Sequence, residues 1–273
     1  MPSAKPATRP QFNRPGIQNM AFALSLAKLT LLEALRTRLP WLVAILVVAS
    51  HGAAKFLNQV AIIEAAPIQA TLLAALFRFA AVFVVVVFVV TSMVREAGDK
   101  VGELLLSQAE PRAAYYFGKL AGYSAVSVMI AVAFSLPLAL FAPNAGLALW
   151  TLSLIFELAL MAAASLFCVL SLTQVVSAIS AAAGFYLLSR SLATMQLIAA
   201  ASLAHDPAWS DRAMNGIVAA IALLLPNLDR MTQSSWLVAL PDAHQLANLF
   251  MQAALYLVLL AGASLFDLYR RNF

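Results

Sequence analysis

Phe79-Ala-Ala-Val-Phe-Val-Val-Val-Val-Phe-Val-Val-Thr-Ser-Met-Val94 carries no charge over sixteen residues and then meets Arg95-Glu96. The run is long and continuous, without the apolar/polar alternation of a barrel strand. It reads as the greater part of a membrane-spanning helix, which needs roughly 20 mainly apolar residues. A helix satisfies its own backbone hydrogen bonds inside lipid. The whole chain repeats the pattern: of 273 residues, 63% are hydrophobic and 11% charged, with a mean hydropathy of +0.89. Soluble domains carry about 25% charged residues, and a soluble core of this length has no room for so much apolar surface. The expected class is an all-α integral membrane protein.

Working outward, six spans are expected: Leu39 to Leu57, a second ending at Val94 and beginning between Pro67 and Phe79, Leu120 to Phe141, Leu147 to Leu172, Ala178 to Leu203, and Leu246 to Leu268. Asn215 to Leu225 is apolar but too short to cross, and Pro226 closes it, so it reads as re-entrant or interfacial. Residues 1–16 are polar, basic and proline-bearing, without a signal-peptide core, and form a flexible cytoplasmic arm. Residues 17–273 form one transmembrane domain. Ile17 to Arg38 reads as an interfacial helix, with Ile17, Met20, Leu24, Leu31 and Leu35 on one side and Gln18, Ser25, Glu33 and Arg36 on the other. The alternative is the lower part of the first span.

Basic residues set the orientation. With the N-terminus inside, 12 of the 17 Lys and Arg residues are cytoplasmic, and six spans return the C-terminus to the same side. Lys55, Arg78, Arg212 and Arg230 fall outside or near the outer interface. The net charge of +5 is thereby explained by membrane anchoring, with no nucleic-acid partner.

The one long charged loop between spans is Arg95 to Leu120, REAGDKVGELLLSQAEPRAAYYFGKL. It mixes Arg95, Glu96, Asp99, Lys100 and Glu103 with Leu104, Leu105 and Leu106. Pro111 breaks the segment and suits the opening of a second helix. A charged collar with leucine knobs fits docking into a partner; it equally fits a connector lying on headgroups.

The same residues carry a resemblance. Arg95-Glu96, then Gly102-Glu103-Leu104-Leu105-Leu106-Ser107, Pro111-Arg112, Tyr116 and Gly118-Lys119-Leu120 resemble the coupling-helix region of ABC-2 type transporter permeases. One residue between the glycine and glutamate of the family pattern is absent. Pro226-Asn227-Leu228-Asp229-Arg230 and Leu268-Tyr269-Arg270-Arg271 resemble the compact six-span branch found with copper-enzyme maturation and gliding-motility systems. The resemblance implies an exporter subunit of the bacterial cytoplasmic (inner) membrane. Arg95, Glu96, Asp99, Lys100, Gly102, Glu103, Leu104, Leu105 and Leu106 would couple it to a separate nucleotide-binding ATPase, alongside a second permease copy or related permease. No G-x-x-x-x-G-K-[ST] phosphate loop occurs, so ATP and Mg are expected in the partner subunit and no cofactor in this chain.

Two charges sit inside expected spans, Glu157 and Arg190. Such charges usually face protein or a water path and commonly pair. Their depths from the outer end agree within about 5 Å at 1.5 Å per residue, so a Glu157–Arg190 pair is possible, either as packing or on a substrate path. Gln174 reads as a headgroup or backbone contact. His205, Asp206, Asp211, Asp229, Asp242 and His244 have no metal-site spacing, and His51 reads as a helix contact. Cys168 is a lone apolar-run cysteine, suited to packing. Ala181 to Gly184 permit close helix approach. The competing functions are an ion-coupled carrier, for which no inverted repeat is visible; a non-transport anchor or signal relay; and an intramembrane enzyme, for which no H-E-x-x-H or similar constellation exists.

Overall fold

The computed structural model describes residues 15–60, 65–99, 111–139, 145–202, 209–237 and 243–270. Among them are nine α-helices and one 3-10 turn, and no strand. In order they are α1 (Pro15–Arg36), α2 (Leu39–Val60), α3 (Ala65–Gly98), α4 (Arg112–Leu138), α5 (Ala145–Leu172), α6 (Val175–Ser202), α7 (Trp209–Leu224), α8 (Leu228–Met231), the 3-10 turn Ser234–Leu237, and α9 (Ala243–Arg270). Five of these are long and apolar enough to cross a bilayer: Ala70–Gly98 of α3, α4, α5, Val175–Ala201 of α6 and Leu246–Arg270 of α9. The chain is therefore an all-helical, multi-pass membrane protein.

The expected first span lies in α2, whose apolar stretch is Leu39–Ala53. The helix itself runs 22 residues, Leu39–Val60, and the apolar stretch is counted over described residues alone. Two expected boundaries also move. α3 begins at Ala65 and runs 34 residues, about 51 Å, past Val94 to Gly98. α4 begins at Arg112, eight residues before Leu120, with Pro111 as the extended residue just ahead of it (φ −68°, ψ 134°). The proline's missing N–H is harmless there, and its carbonyl accepts from the Ala114 amide at 2.8 Å.

α5 is apolar around most of its circumference, the Ser153–Glu157 face apart, and occupies the centre, as such a helix must. Trp150, Leu154, Leu158, Leu160 and Met161 are fully buried in it. It packs against α3, α4, α6, α9 and the 3-10 turn. α9 and α6 are covered on narrower faces, and Leu187, Leu197, Ile198, Val258 and Leu259 point away from the protein, as residues facing lipid do.

The most extensive helix–helix contact is between α1 and α4. Two glycines one turn apart make it possible. A Cβ on Gly118 would lie 2.9 Å from the Ala23 carbonyl oxygen, and one on Gly122 would lie 2.7 Å from Thr30 Cβ. Small residues at this spacing let two backbones approach. Thr30 contributes no loose polar group, since its hydroxyl donates to the Leu26 carbonyl at 3.0 Å.

After α7, too short to cross, the chain turns back into the bundle. Leu228, Thr232, Trp236 and Leu237 are buried, and the 3-10 turn packs on α5 and α3. Tyr256 of α9 donates to the Leu225 carbonyl at 2.9 Å and fixes the bend.

Candidate functional site

Among the described residues two polar clusters interrupt the apolar bundle, one near the middle of α3 and one at its C-terminal end. Their anchor residues, Arg78 and Arg95, are seventeen positions apart, about 25 Å along the helix.

The first is built on Glu157. Its side chain and that of Arg78 are both wholly inaccessible to solvent, and Arg78 Nη1 donates to Glu157 Oε2. Arg78 Nη2 also donates to Ser153 Oγ at 3.1 Å, and its guanidinium lies 5.2 Å from the centre of the Trp150 ring, within cation–π range. Ser153, Glu157 and Trp150 stand on successive turns of α5, so one helix face supplies three partners to one cation. Arg190 of α6 approaches from the other side: Nη1 lies 3.4 Å from Glu157 Oε1. The same Nη1 donates to Thr232 Oγ1 at 2.8 Å, and Nε lies 3.9 Å from Asp229 Oδ1. Arg190 thus joins the core helices to the segment that follows α7. Buried cations are tolerated only when paired and hydrogen-bonded; here one carboxylate serves two guanidiniums, with half-exposed Asp229 as the outer counter-charge.

The structure brings Glu157 and Arg190 together, and adds Arg78, which the sequence reading assigned to the outer interface. Arg78 is instead fully buried. The helix around it starts at Ala65, so this cation stands inside the span, where the Glu157 face of α5 compensates it. Its signal was a lone cation between Phe77 and Phe79. Thr232 and Trp150 gave none, since their roles depend on how distant segments pack together.

The second cluster joins α1, α3 and α4. Arg95 Nη2 donates to Glu33 Oε1, which also accepts from Ser92 Oγ at 2.9 Å. Tyr123 donates to Ser92 Oγ at 3.1 Å. Glu96 pairs with Lys119 and accepts from the Tyr115 hydroxyl at 2.9 Å. Arg112 donates to the Leu268 carbonyl at 3.0 Å and the Tyr269 carbonyl at 3.3 Å. There its positive charge meets the negative end of the α9 dipole. Both ends of the loop between α3 and α4 are therefore fastened to the bundle. A cleft of about 450 Å³ opens between the three helices, lined by residues including Glu33, Arg36, Asp99 and Lys119.

Of the nine residues expected to couple to an ATPase, Arg95 and Glu96 are engaged within the chain and Asp99 is exposed on the cleft. Lys100, Gly102, Glu103, Leu104, Leu105 and Leu106 lie outside the described residues, as do the arm 1–14, His205, Asp206 and Asp242. Among the described residues no group of three His, Cys, Asp or Glu side chains is placed to hold a metal. Cys168 is buried. Gln174 is exposed at the α5–α6 turn, where its carbonyl accepts from the Ala178 amide at 3.0 Å. No protein-family model and no curated protein matches the chain.

Proposed function

We propose that this chain is the membrane-spanning subunit of an ATP-driven exporter of the ABC-2 type, acting with a separate nucleotide-binding ATPase. The observation that carries the reading is the fastening of the loop between α3 and α4. Before the loop, Arg95 and Glu96 are held by Glu33 on α1 and by Lys119 and Tyr115 on α4. Just after it, Arg112 holds the end of α9. A displacement of residues 100–110 would be passed to four helices at once. A connector that merely rested on headgroups would need no such anchorage.

In this reading residues 95–106 are the docking segment. Leu104, Leu105 and Leu106 fill a cleft on the ATPase, and Asp99, Lys100 and Glu103 surround them. Arg95 and Glu96 act inward, as the base that carries the load. The ATPase supplies ATP and Mg. A second copy of this chain or a related permease completes the transporter. α2 serves as a sixth span, α1 lies at the interface, both termini are cytoplasmic, and the membrane is the bacterial cytoplasmic one. Affinity purification of the tagged chain from its native membranes tests this. An ATPase subunit is expected to be retained and to hydrolyse ATP faster than alone. Its loss is expected in Leu104→Ala/Leu105→Ala, since truncating buried interface anchors commonly costs about 2 kcal/mol or more each. Retention of no ATPase would refute the assignment.

One observation favours a second reading. The buried Glu157 with two arginines is the kind of intramembrane group that ion-coupled carriers use. Substrate movement in vesicles driven by an ion gradient without ATP would identify that carrier. An ATPase complex without any substrate movement would identify an anchor or signal relay.

A further inference from the structure

At the elbow between α1 and α2, two clefts meet and share Thr37 and Arg95. The second, about 290 Å³, runs along the seam between α2 and α3. Its lining changes character along its length. At one end stand Thr37, Arg38, Thr91 and Arg95; beyond them come Leu42, Phe83, Val84, Val87 and Phe88. Among the described residues Arg38 and Arg95 are the only charged ones of that lining. Arg38 is exposed, and the Arg95 side chain is 56% exposed although Nη2 is engaged by Glu33. The apolar walls are open as well, with Phe83 61% and Leu42 43% exposed. A third apolar hollow, lined by Trp41, Ile45 and Leu46, continues from Arg38 and Leu42 along the outside of α2.

We infer that this seam binds an anionic phospholipid, its phosphate between Arg38 and Arg95 and an acyl chain along Leu42, Phe83 and Val87. Two guanidiniums at the mouth of an apolar groove complement a molecule with a negative head and a hydrocarbon tail, and basic pockets between transmembrane helices take such headgroups. In the adjoining cleft Glu33 engages Nη2 of Arg95 and Glu96 engages Lys119, so the phosphate is met by Arg38 and by the remaining donors of the half-exposed Arg95. The site ties α1, α2 and α3 together at the end of the bundle that carries the α3–α4 loop, and it holds whichever leaflet faces that end.

The test uses the purified full chain in neutral detergent, offered equal amounts of palmitoyl-oleoyl phosphatidylglycerol and palmitoyl-oleoyl phosphatidylcholine, with retained lipid read by native mass spectrometry. The wild type is expected to retain the phosphatidylglycerol selectively. Arg38→Gln lowers that retention about fivefold, the worth of one arginine near a lipid phosphate. Val87→Trp, which fills the groove and leaves both arginines in place, lowers it too. Arg212→Gln, an exposed arginine on α7, leaves it unchanged. Equal retention of the two lipids by the wild type overturns the site, as does an Arg38→Gln protein that retains as much as the wild type, or an Arg212→Gln protein that loses as much as Arg38→Gln. Displacement of the lipid by an equal concentration of glycerol phosphate would show that a free phosphate suffices, and would overturn the lipid assignment.

Discussion

Glu157 neutralises two guanidiniums, and they depend on it to different degrees. Arg78 is wholly enclosed and has Glu157 as its only anionic partner among the described residues, whereas Arg190 is partly exposed and also reaches Thr232 and Asp229. Removing one member of a buried pair typically costs about 3–5 kcal/mol, while replacing both with apolar residues is often close to neutral. Glu157→Leu should therefore be the most damaging single change in this cluster. Arg78→Leu/Glu157→Leu should recover much of the loss, and Arg190→Leu alone should be milder than either Arg78→Leu or Glu157→Leu. Thermal unfolding of the purified variants checks the order. Strict additivity of Arg78→Leu and Glu157→Leu would contradict the shared buried pair. Helix arithmetic from the sequence placed Glu157 and Arg190 at matching depth. It could not place Arg78, because the one charge between Pro67 and Phe79 is Arg78 itself, which looked like the start of the span. The fold decides that position by continuing α3 back to Ala65.

Among elements, the α1–α4 seam is the most sensitive to a single added carbon. Gly122→Ala puts a Cβ 2.7 Å from Thr30 Cβ, and such overpacking costs about 1–3 kcal/mol. Gly184→Ala is the matched control: its added Cβ meets nothing within 4 Å, and alanine in a helix is better than glycine by roughly 0.5–1 kcal/mol. The first variant should melt lower than the wild type and the second no lower. Equal melting of both would show that α1 does not press on α4. The Glu96–Lys119 link makes a separate prediction. Lys119→Glu should loosen the bundle by setting two carboxylates side by side, and Glu96→Lys in the same chain should restore it, measured by protease resistance of the α3–α4 loop. The helices themselves were readable as apolar runs. Their ends at this side were not, because Lys119 and Arg112 look like residues that stop a span. Lys119 is buried by its pairing with Glu96 and Tyr115 is drawn in beside it, which lets α4 start eight residues early. The glycine pair at 118 and 122 was present as a small-xxx-small spacing, but its partner, α1, is distant in the chain and read on its own as an amphipathic helix.

For the whole molecule, what matters is how the α3–α4 loop is connected. Its flanks are bonded to α1, α4 and α9 at one end of the bundle, while the Arg78–Glu157–Arg190 cluster, near the middle of α3, α5 and α6, ties in the segment after α7 through Thr232. The proposed transporter pushes on the first and opens or closes the second. The most direct measurement is site-directed crosslinking in native membranes. In a Cys168→Ala background, which removes the sole cysteine, Leu105→Cys and Arg212→Cys are each treated with a short thiol-to-amine crosslinker. The account predicts an adduct with an ATPase subunit from position 105, altered in yield by ATP, and none from position 212. No adduct from position 105 in a stably folded protein, or an adduct from position 212 instead, would contradict it.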